Sequence, residues 1–356
     1  MKNDNSEIIK LQNEIKALKK IRHPDFITPR LKERNEELQH RLLELELAAK
    51  GIEPIGVSPE AKAHGGKAFI ELMSKVEVET ILPIVREVHE TGYAIAEDIL
   101  TSSEVENLKA KMSPFFKQTE SLFEKNVGGR HEGKQTTHVQ NLLAKTNSID
   151  QIASTPFLRA ALSGLLGHDF IFNAGAVAMA PDPGCSPQGL HRDDGFYALI
   201  PRPHPPLVIT VAIALDDFTK TNGATELIPG SCLWEGSRAP QENEIRMCNM
   251  RAGSMLFWDG STFHRGGGNY SKLPRRTLTL NYCRGWLRTQ FNQYISIPRH
   301  RILEMPPELQ SDLGYHRSAI GLGSCDHQDS LEYLALLQKN GGDGAQAMLG
   351  QEHDNS

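Results

Sequence analysis

Apolar residues along this chain recur first at helical spacing and later at strand spacing. Ile8, Leu11, Ile15 and Leu18 follow a 3-4-3 pattern over 7–19, the seam of an amphipathic helix. Pro24 and Pro29 interrupt it, because neither fits a helix interior. Leu31, Leu38, Leu42 and Leu45 predict a second helix from about 29 to 49, ended by Gly51. The pair reads as a helical hairpin packed on its own domain, since an independent coiled coil needs about three or four heptads. The alternative is an arm that joins two copies as a homodimer. Gly, Pro and Ala in quick succession mark 51–66 as a linker.

A helix is expected over 75–90, and then a turn, a strand and an exit over 91–100. Thr101-Ser-Ser-Glu104 has the form of an N-cap with an acidic third residue and starts a helix at about 103–118. Residues 125–137 are polar and Gly-rich and read as a loop over a site mouth. A short helix over 157–166 ends at Gly167, a strand of small residues covers 169–180, and Pro181-Asp-Pro-Gly184 is a turn. Residues 207–215 are almost continuously apolar with β-branched enrichment, which suits a strand buried on both faces. Further strands are expected at 225–228, 254–258 and 276–283, with a polar excursion over 233–250. Short strands between Gly/Pro turns predict a sandwich or barrel, so the fold class is mainly β with flanking helices. The division expected is a helical extension over 1–50, a linker over 51–75, a β-rich catalytic domain over 76–315 and a tail over 316–356. In that tail, 329–338 is amphipathic and the Gly-rich end frays.

Composition narrows the classes. A net charge of −5 gives no general polyanion-binding surface, so nucleic acid is not an expected partner. No run of about 18 apolar residues exists to span a membrane. The five cysteines form no Cys-x-x-Cys pair, and the odd number argues for free thiols in a reducing compartment. The first residues lack an apolar signal core, and the last carry no Ser-Lys-Leu address. A cytoplasmic location is therefore expected.

The candidate chemistry lies in Gln188-Gly-Leu-His-Arg-Asp-Asp194. On a strand or strand end, His191 and Asp193 point to one side. They would supply two thirds of a 2-His-1-carboxylate triad, which binds iron(II) and leaves one face open. The third ligand has to come from a distant strand, and His264 is the best candidate. Asp194 would point the opposite way from His191, which leaves it at most a supporting role. Further on, Arg275 could hold a carboxylate through a bidentate pair.

This constellation resembles the phytanoyl-CoA dioxygenase family of iron(II)- and 2-oxoglutarate-dependent oxygenases. The pieces that carry the resemblance are His191-x-Asp193, Asn222-Gly-Ala-Thr-Glu-Leu-Ile-Pro-Gly-Ser231, Ala252-Gly-Ser-Met-Leu-Phe-Trp258, His264 and Pro274-Arg-Arg-Thr-Leu-Thr-Leu280. They occur in the family's order over about 85–300. The resemblance implies a double-stranded β-helix (a jelly-roll, cupin-like core) and an enzyme using Fe(II), O2 and 2-oxoglutarate as cosubstrate. Such an enzyme hydroxylates or otherwise oxidises an unactivated C–H bond of a small organic substrate, releasing succinate and CO2. Secondary metabolism is the setting suggested by the breadth of the family. Related halogenases have a small residue where Asp193 stands, so the carboxylate argues against halogenation.

The resemblance also assigns site residues. His191, Asp193 and His264 would hold iron. Arg275 would hold the far carboxylate of 2-oxoglutarate, and alternation supports it over Arg276: Arg275, Thr277, Thr279 and Asn281 share one face, while Leu278, Leu280 and Tyr282 share the other with Arg276. Arg276 is expected to reach solvent. Gln188 is either a cosubstrate contact or a turn residue after Pro187, and Thr225 either a hydroxyl donor to 2-oxoglutarate or an ordinary strand threonine. Gln140 resembles a position that contacts cosubstrate or substrate. His138, Phe196 and Tyr197 are weaker substrate candidates, and Trp258 and Phe263 read as aromatics that pack and exclude water. Two rivals stand beside this reading. One is a non-redox hydrolase with zinc on the same ligands, which gives Arg275 no use. The other is a non-catalytic scaffold acting through the N-terminal helices.

Overall fold

Three central strands decide where everything else sits: β4 (Val208–Ala214), β7 (Met255–Asp259) and β9 (Thr277–Arg284). All three turn apolar side chains toward the helices, and two of them, β4 and β9, alternate these with polar or small ones toward a lumen. Ile209, Val211, Ile213, Met255, Phe257, Leu278, Leu280 and Tyr282 all belong to the main core. The intervening Thr210, Ala212, Thr277, Thr279 and Asn281 line a cavity instead. This is the period-2 pattern of a sheet with two different faces.

The structure is a computed structural model that describes residues 4–18, 72, 75–120, 136–167, 169–318, 321–325 and 328–340. The remaining strands are β1 (Tyr93–Ala96), β2 (Thr136–Val139), β3 (Phe170–Pro181), β5 (Thr225–Leu227), β6 (Arg246–Met247) and β8 (His264–Gly266). They form a six-stranded sheet in the order β1-β7-β4-β9-β3-β2 and a three-stranded sheet in the order β6-β5-β8. Every ladder is antiparallel, and sequence neighbours are seldom sheet neighbours. The architecture is the double-stranded β-helix, with helices on the outer face of the larger sheet.

Local chemistry explains the flanking helices. The helix Ser102–Glu120 starts at the expected capping box: the Thr101 N–H donates to Glu104 Oε2 at 2.8 Å, and the Glu104 N–H donates to Thr101 Oγ1 at 3.3 Å. The helix Val78–Thr91 ends at Gly92, whose φ of +86° is open to glycine. A Cβ there would lie 2.3 Å from Thr262 Oγ1, so the same glycine lets this helix end lie against the strand that leads to His264. The helix Pro156–Leu166 is capped by Thr155 and ends at Gly167, as expected.

Other expectations change. The N-terminal seam forms the helix Asp4–Leu18, with Leu11 and Ile15 buried. The second helix expected at 29–49 and the linker at 51–66 lie outside the described residues, as does the loop expected at 125–137 up to residue 135. Thr136 and Thr137 are not loop but the start of β2, paired with Pro181 and Ala180. The segment after 315 is more than a tail, since Leu334 of the helix Ser330–Asn340 packs into the main core. All five cysteines are free. Among the described residues, no helix is long and apolar enough to cross a membrane.

The pair between Arg159 and Asp312 fastens the later helix Pro307–Asp312 to the helix Pro156–Leu166. Arg159 Nε and Nη2 each donate to one carboxylate oxygen at 2.8 Å, and the Asp312 side chain is 3% exposed. Burial raises the Asp312 carboxyl and Arg159 opposes it. Removing one partner leaves a buried charge unpaired, so Arg159→Met should lower stability to denaturant by about 3–5 kcal/mol. Arg159→Met with Asp312→Leu should recover most of that loss. Equal losses in the single and the double variant would show that the pair is not what fastens these helices.

Candidate metal centre

The two candidate histidines are brought together by main-chain bonds. The His191 N–H donates to the His264 carbonyl and the His264 N–H to the His191 carbonyl, both at 3.0 Å. Residues 188–191 thus lie along β8, joined by an isolated bridge rather than a regular strand. Gln188 adds a like contact three residues before His191: its N–H reaches the Gly266 carbonyl, and its Oε1 accepts the Gly266 N–H at 2.7 Å. Each imidazole is oriented the same way. His191 Nδ1 lies 2.9 Å from the Gly189 carbonyl and His264 Nδ1 2.9 Å from the Thr262 carbonyl. Both rings therefore present Nε2, as in metal-binding histidines whose other ring nitrogen is held by a backbone carbonyl.

Asp193 completes the set from the turn that follows. Its Oδ1 lies 3.3 Å from His264 Nε2 and 3.8 Å from His191 Nε2. One ligand atom from each of the three residues lies within 4.8 Å of the others, the only such group among the described residues. Partial withdrawal from water works to raise the Asp193 carboxyl, but His264, His191 and the Thr210 hydroxyl outweigh it and hold the group below the usual carboxylate range. Its Oδ2 receives the Thr210 hydroxyl at 2.6 Å and the Trp258 indole N–H at 3.2 Å. Asp194, fully buried, turns away into a separate cluster with Arg202, His204 and Ser261. That cluster anchors the turn.

Arg275 opens into the same cavity, about 270 Å³ in volume. It is 4% exposed, donates Nη2 to the Gly223 carbonyl and stacks on Phe218 at 4.0 Å. Its Nε has no hydrogen-bond partner, and no carboxylate among the described residues pairs with it. Burial pushes its pKa down to about 9, only partly offset by Asp216 and the Cys185 thiol. Gly223, whose carbonyl takes the Nη2 bond, has a φ of +84° and is closely packed: a Cβ there would lie 3.0 Å from both the Gly267 carbonyl and Pro181. Arg276, by contrast, is not free in solvent. It grips Asp216 through Nε at 2.8 Å and Nη2 at 2.9 Å, with its side chain 33% exposed.

The donor set and the cavity fit an iron(II) ion with a dicarboxylate cosubstrate. Two imidazoles and a carboxylate converge at one end, and an uncompensated buried cation waits at another. Gln188, Thr225, Gln140 and His138 all line this cavity. Phe196 and Tyr197 do not. Phe196 is 69% exposed, and the Tyr197 hydroxyl donates to the Arg288 carbonyl at 2.8 Å. Thr210, Gln290 and Phe291 line the cavity without having been expected there, and Asn281 does so as the polar face of β9 implied. A second cavity of about 350 Å³, between 285–294 and 314–323, shares Gln290 with the first and holds none of the triad.

Comparison with known proteins gives the family. The sequence profile of phytanoyl-CoA dioxygenase (PhyH) matches residues 88–277. The dioxygenase olcK of Penicillium canescens is 29% identical over 263 residues, covering 69% of this chain and 85% of its own. The dioxygenase cdmA of Talaromyces verruculosus is 30% identical over 250 residues, covering 67% and 83%. Among solved structures, the epimerase SnoN in complex with Fe3+, alpha-ketoglutarate and nogalamycin RO is 17% identical with a TM-score of 0.45, covering 58% of this chain and 84% of that one. With more than half of its length matched by the profile, the chain belongs to the phytanoyl-CoA dioxygenase family.

Proposed function

We propose that this protein is an Fe(II)- and 2-oxoglutarate-dependent dioxygenase that hydroxylates a C–H bond of a small organic molecule. The observation that carries the reading is Arg275: a buried guanidinium without a counter-ion, in the same cavity as a His-Asp-His group. A hydrolytic zinc site would explain the three ligands but not that cation. Iron(II) and 2-oxoglutarate, when bound, supply the oxidising chemistry, with succinate and CO2 as the other products. His191, Asp193 and His264 would hold the metal, and their backbone and side-chain partners keep the donor atoms aimed at one point. Arg275 would take the far carboxylate of the cosubstrate in a bidentate pair, with Thr225 and Gln188 beside it. Met179, Val177, Trp258 and Phe291 line the cavity and would shield a bound substrate from bulk water.

The cavity suits the reacting end of a small, largely uncharged substrate. Arg265, its other arginine, is already held by Glu226 at 2.6 Å and Glu242 at 2.9 Å, so among the described residues that line the cavity no spare arginine or lysine remains for a substrate phosphate. A secondary-metabolic substrate is consistent with the related dioxygenases. The helices over 1–50 are proposed as a separate extension that leaves the metal site intact when deleted.

Three measurements test the site. His191→Ala and Asp193→Ala should each keep a native circular dichroism spectrum and lose at least about 10- to 100-fold in iron affinity, the loss typical even of residues that only hydrogen-bond a ligand. Normal iron content and turnover in both would remove the triad assignment.

Arg275→Lys should raise the 2-oxoglutarate concentration needed for half-maximal succinate formation by roughly 30- to several-thousand-fold, because losing such a pair costs about 2–5 kcal/mol. Arg276→Lys, which alters only the partly exposed pair with Asp216, should leave that concentration near wild type. The reverse ranking would mean that the two arginines have exchanged roles.

Acid should weaken metal binding. Burial lowers the His264 pKa, but Asp193, the Thr262 carbonyl and Asp194 together raise it more, so without metal the imidazolium persists above its ordinary range. A metal must displace that proton. Affinity should therefore rise with pH by up to about tenfold per unit until the raised pKa is passed. Titration calorimetry in buffers of different ionisation enthalpy reads the released proton, and binding independent of pH would contradict the assignment of His264.

A further inference from the structure

Thr210, Trp258 and Asn281 occupy one row across the larger sheet. Thr210 pairs with Trp258 between β4 and β7 and with Asn281 between β4 and β9. Cross-strand partners have side chains on the same face, close enough to bond. Asn281 Nδ2 donates to Thr210 Oγ1 at 2.6 Å. That bond occupies the acceptor side of the hydroxyl, so its single proton is directed to Asp193 Oδ2, 2.6 Å away. The Asn281 amide is itself oriented, because its Oδ1 accepts the Ala174 N–H at 3.2 Å. This N–H is available because the β3–β9 register shifts between Phe172 and Gly175, a bulge that takes Ala174 out of the ladder. The Trp258 indole adds a second donor to the same Oδ2 at 3.2 Å. Asp193 Oδ2 therefore carries two hydrogen bonds, while Oδ1 faces His264 Nε2 and His191 Nε2.

We propose that Thr210 and Trp258, with Asn281 behind Thr210, are positioning residues that turn Asp193 so that only its Oδ1 reaches the metal. The inference rests on the iron/2-oxoglutarate reading above. A carboxylate on a turn, left unrestrained, can swing to offer both oxygens to one cation. The second oxygen would then take a position that the cosubstrate or oxygen needs. With Oδ2 saturated by protein donors, the triad supplies one atom per residue and the opposite face stays open. The bulge in β3 is thus connected, through three hydrogen bonds on three strands, to the number of open positions at the metal.

The test uses the full chain loaded with Co(II), whose visible spectrum reports coordination number, and titrates 2-oxoglutarate into it. Thr210→Val keeps the shape and removes the hydroxyl, Thr210→Ser keeps the hydroxyl, and Trp258→Phe keeps a ring and removes the N–H. The expected result is a changed Co(II) spectrum and about 10- to 100-fold weaker 2-oxoglutarate binding in Thr210→Val, with Co(II) uptake much less affected. Trp258→Phe should shift both readings the same way, and Thr210→Ser should restore them to wild-type values. A wild-type spectrum and wild-type 2-oxoglutarate affinity in Thr210→Val and Trp258→Phe, with only a lower melting temperature, would overturn the proposal and leave the iron/2-oxoglutarate reading standing. If Thr210→Val does not fold, Trp258→Phe gives the same decision. Failure of the wild-type protein to take up Co(II) would overturn both.

Discussion

The site depends on one backbone constraint, the reciprocal pair of bonds between His191 and His264. Two residues far apart in the sequence are held face to face by main-chain groups, so no side chain has to find its partner from a mobile loop. Other contacts reinforce that bridge. Gln188 binds Gly266 through both backbone and side chain. Ser231 accepts the Phe263 N–H on its hydroxyl at 2.8 Å and Arg192 Nη2 on its carbonyl at 2.9 Å, so it ties together the neighbours of both histidines. Arg192 stacks over the Phe263 ring at 4.1 Å from the same side. A metal centre needs its donors held to within a fraction of an ångström, and these bonds supply that before any metal arrives.

The second constraint is electrostatic. Three of the arginines around the site have carboxylate partners: Arg202 with Asp194, Arg265 with Glu226 and Arg276 with Asp216. Arg275 has none among the described residues, although it is only 4% exposed. An unpaired buried charge is costly, and a fold retains one where a ligand supplies the missing partner. The Gly223 carbonyl and the Phe218 ring hold the guanidinium in place without neutralising it.

Much of this was legible in the sequence, and what was not has a common physical cause. Alternation along 275–282 separated the lumen face from the packed face correctly: Thr277, Thr279 and Asn281 line the cavity while Leu278, Leu280 and Tyr282 pack in the core. The same parity separated Asp193 from Asp194. Alternation says which way a residue faces but not which strand lies beside it. The row Trp258–Thr210–Asn281 needs the register of three strands, so Trp258 read only as a packing aromatic and Thr210 as part of an apolar run. The bulge at Ala174 left no mark in a stretch of small residues. The same limit applies outside the site. Arg276 was expected to run out to solvent, but Asp216, distant in sequence, grips it. Leu334 lies in the piece over 329–338 that read as amphipathic, but periodicity alone does not say that the main core covers its apolar face.

The central claim is that these residues assemble an iron centre that consumes 2-oxoglutarate oxidatively. The most direct measurement compares the full chain reconstituted with Fe(II) and with Zn(II), supplied with 2-oxoglutarate and oxygen, by following succinate. The account predicts one succinate for each 2-oxoglutarate consumed by the iron form, and none from the zinc form. A zinc form that hydrolyses substrates, beside an iron form that leaves 2-oxoglutarate intact, would contradict it.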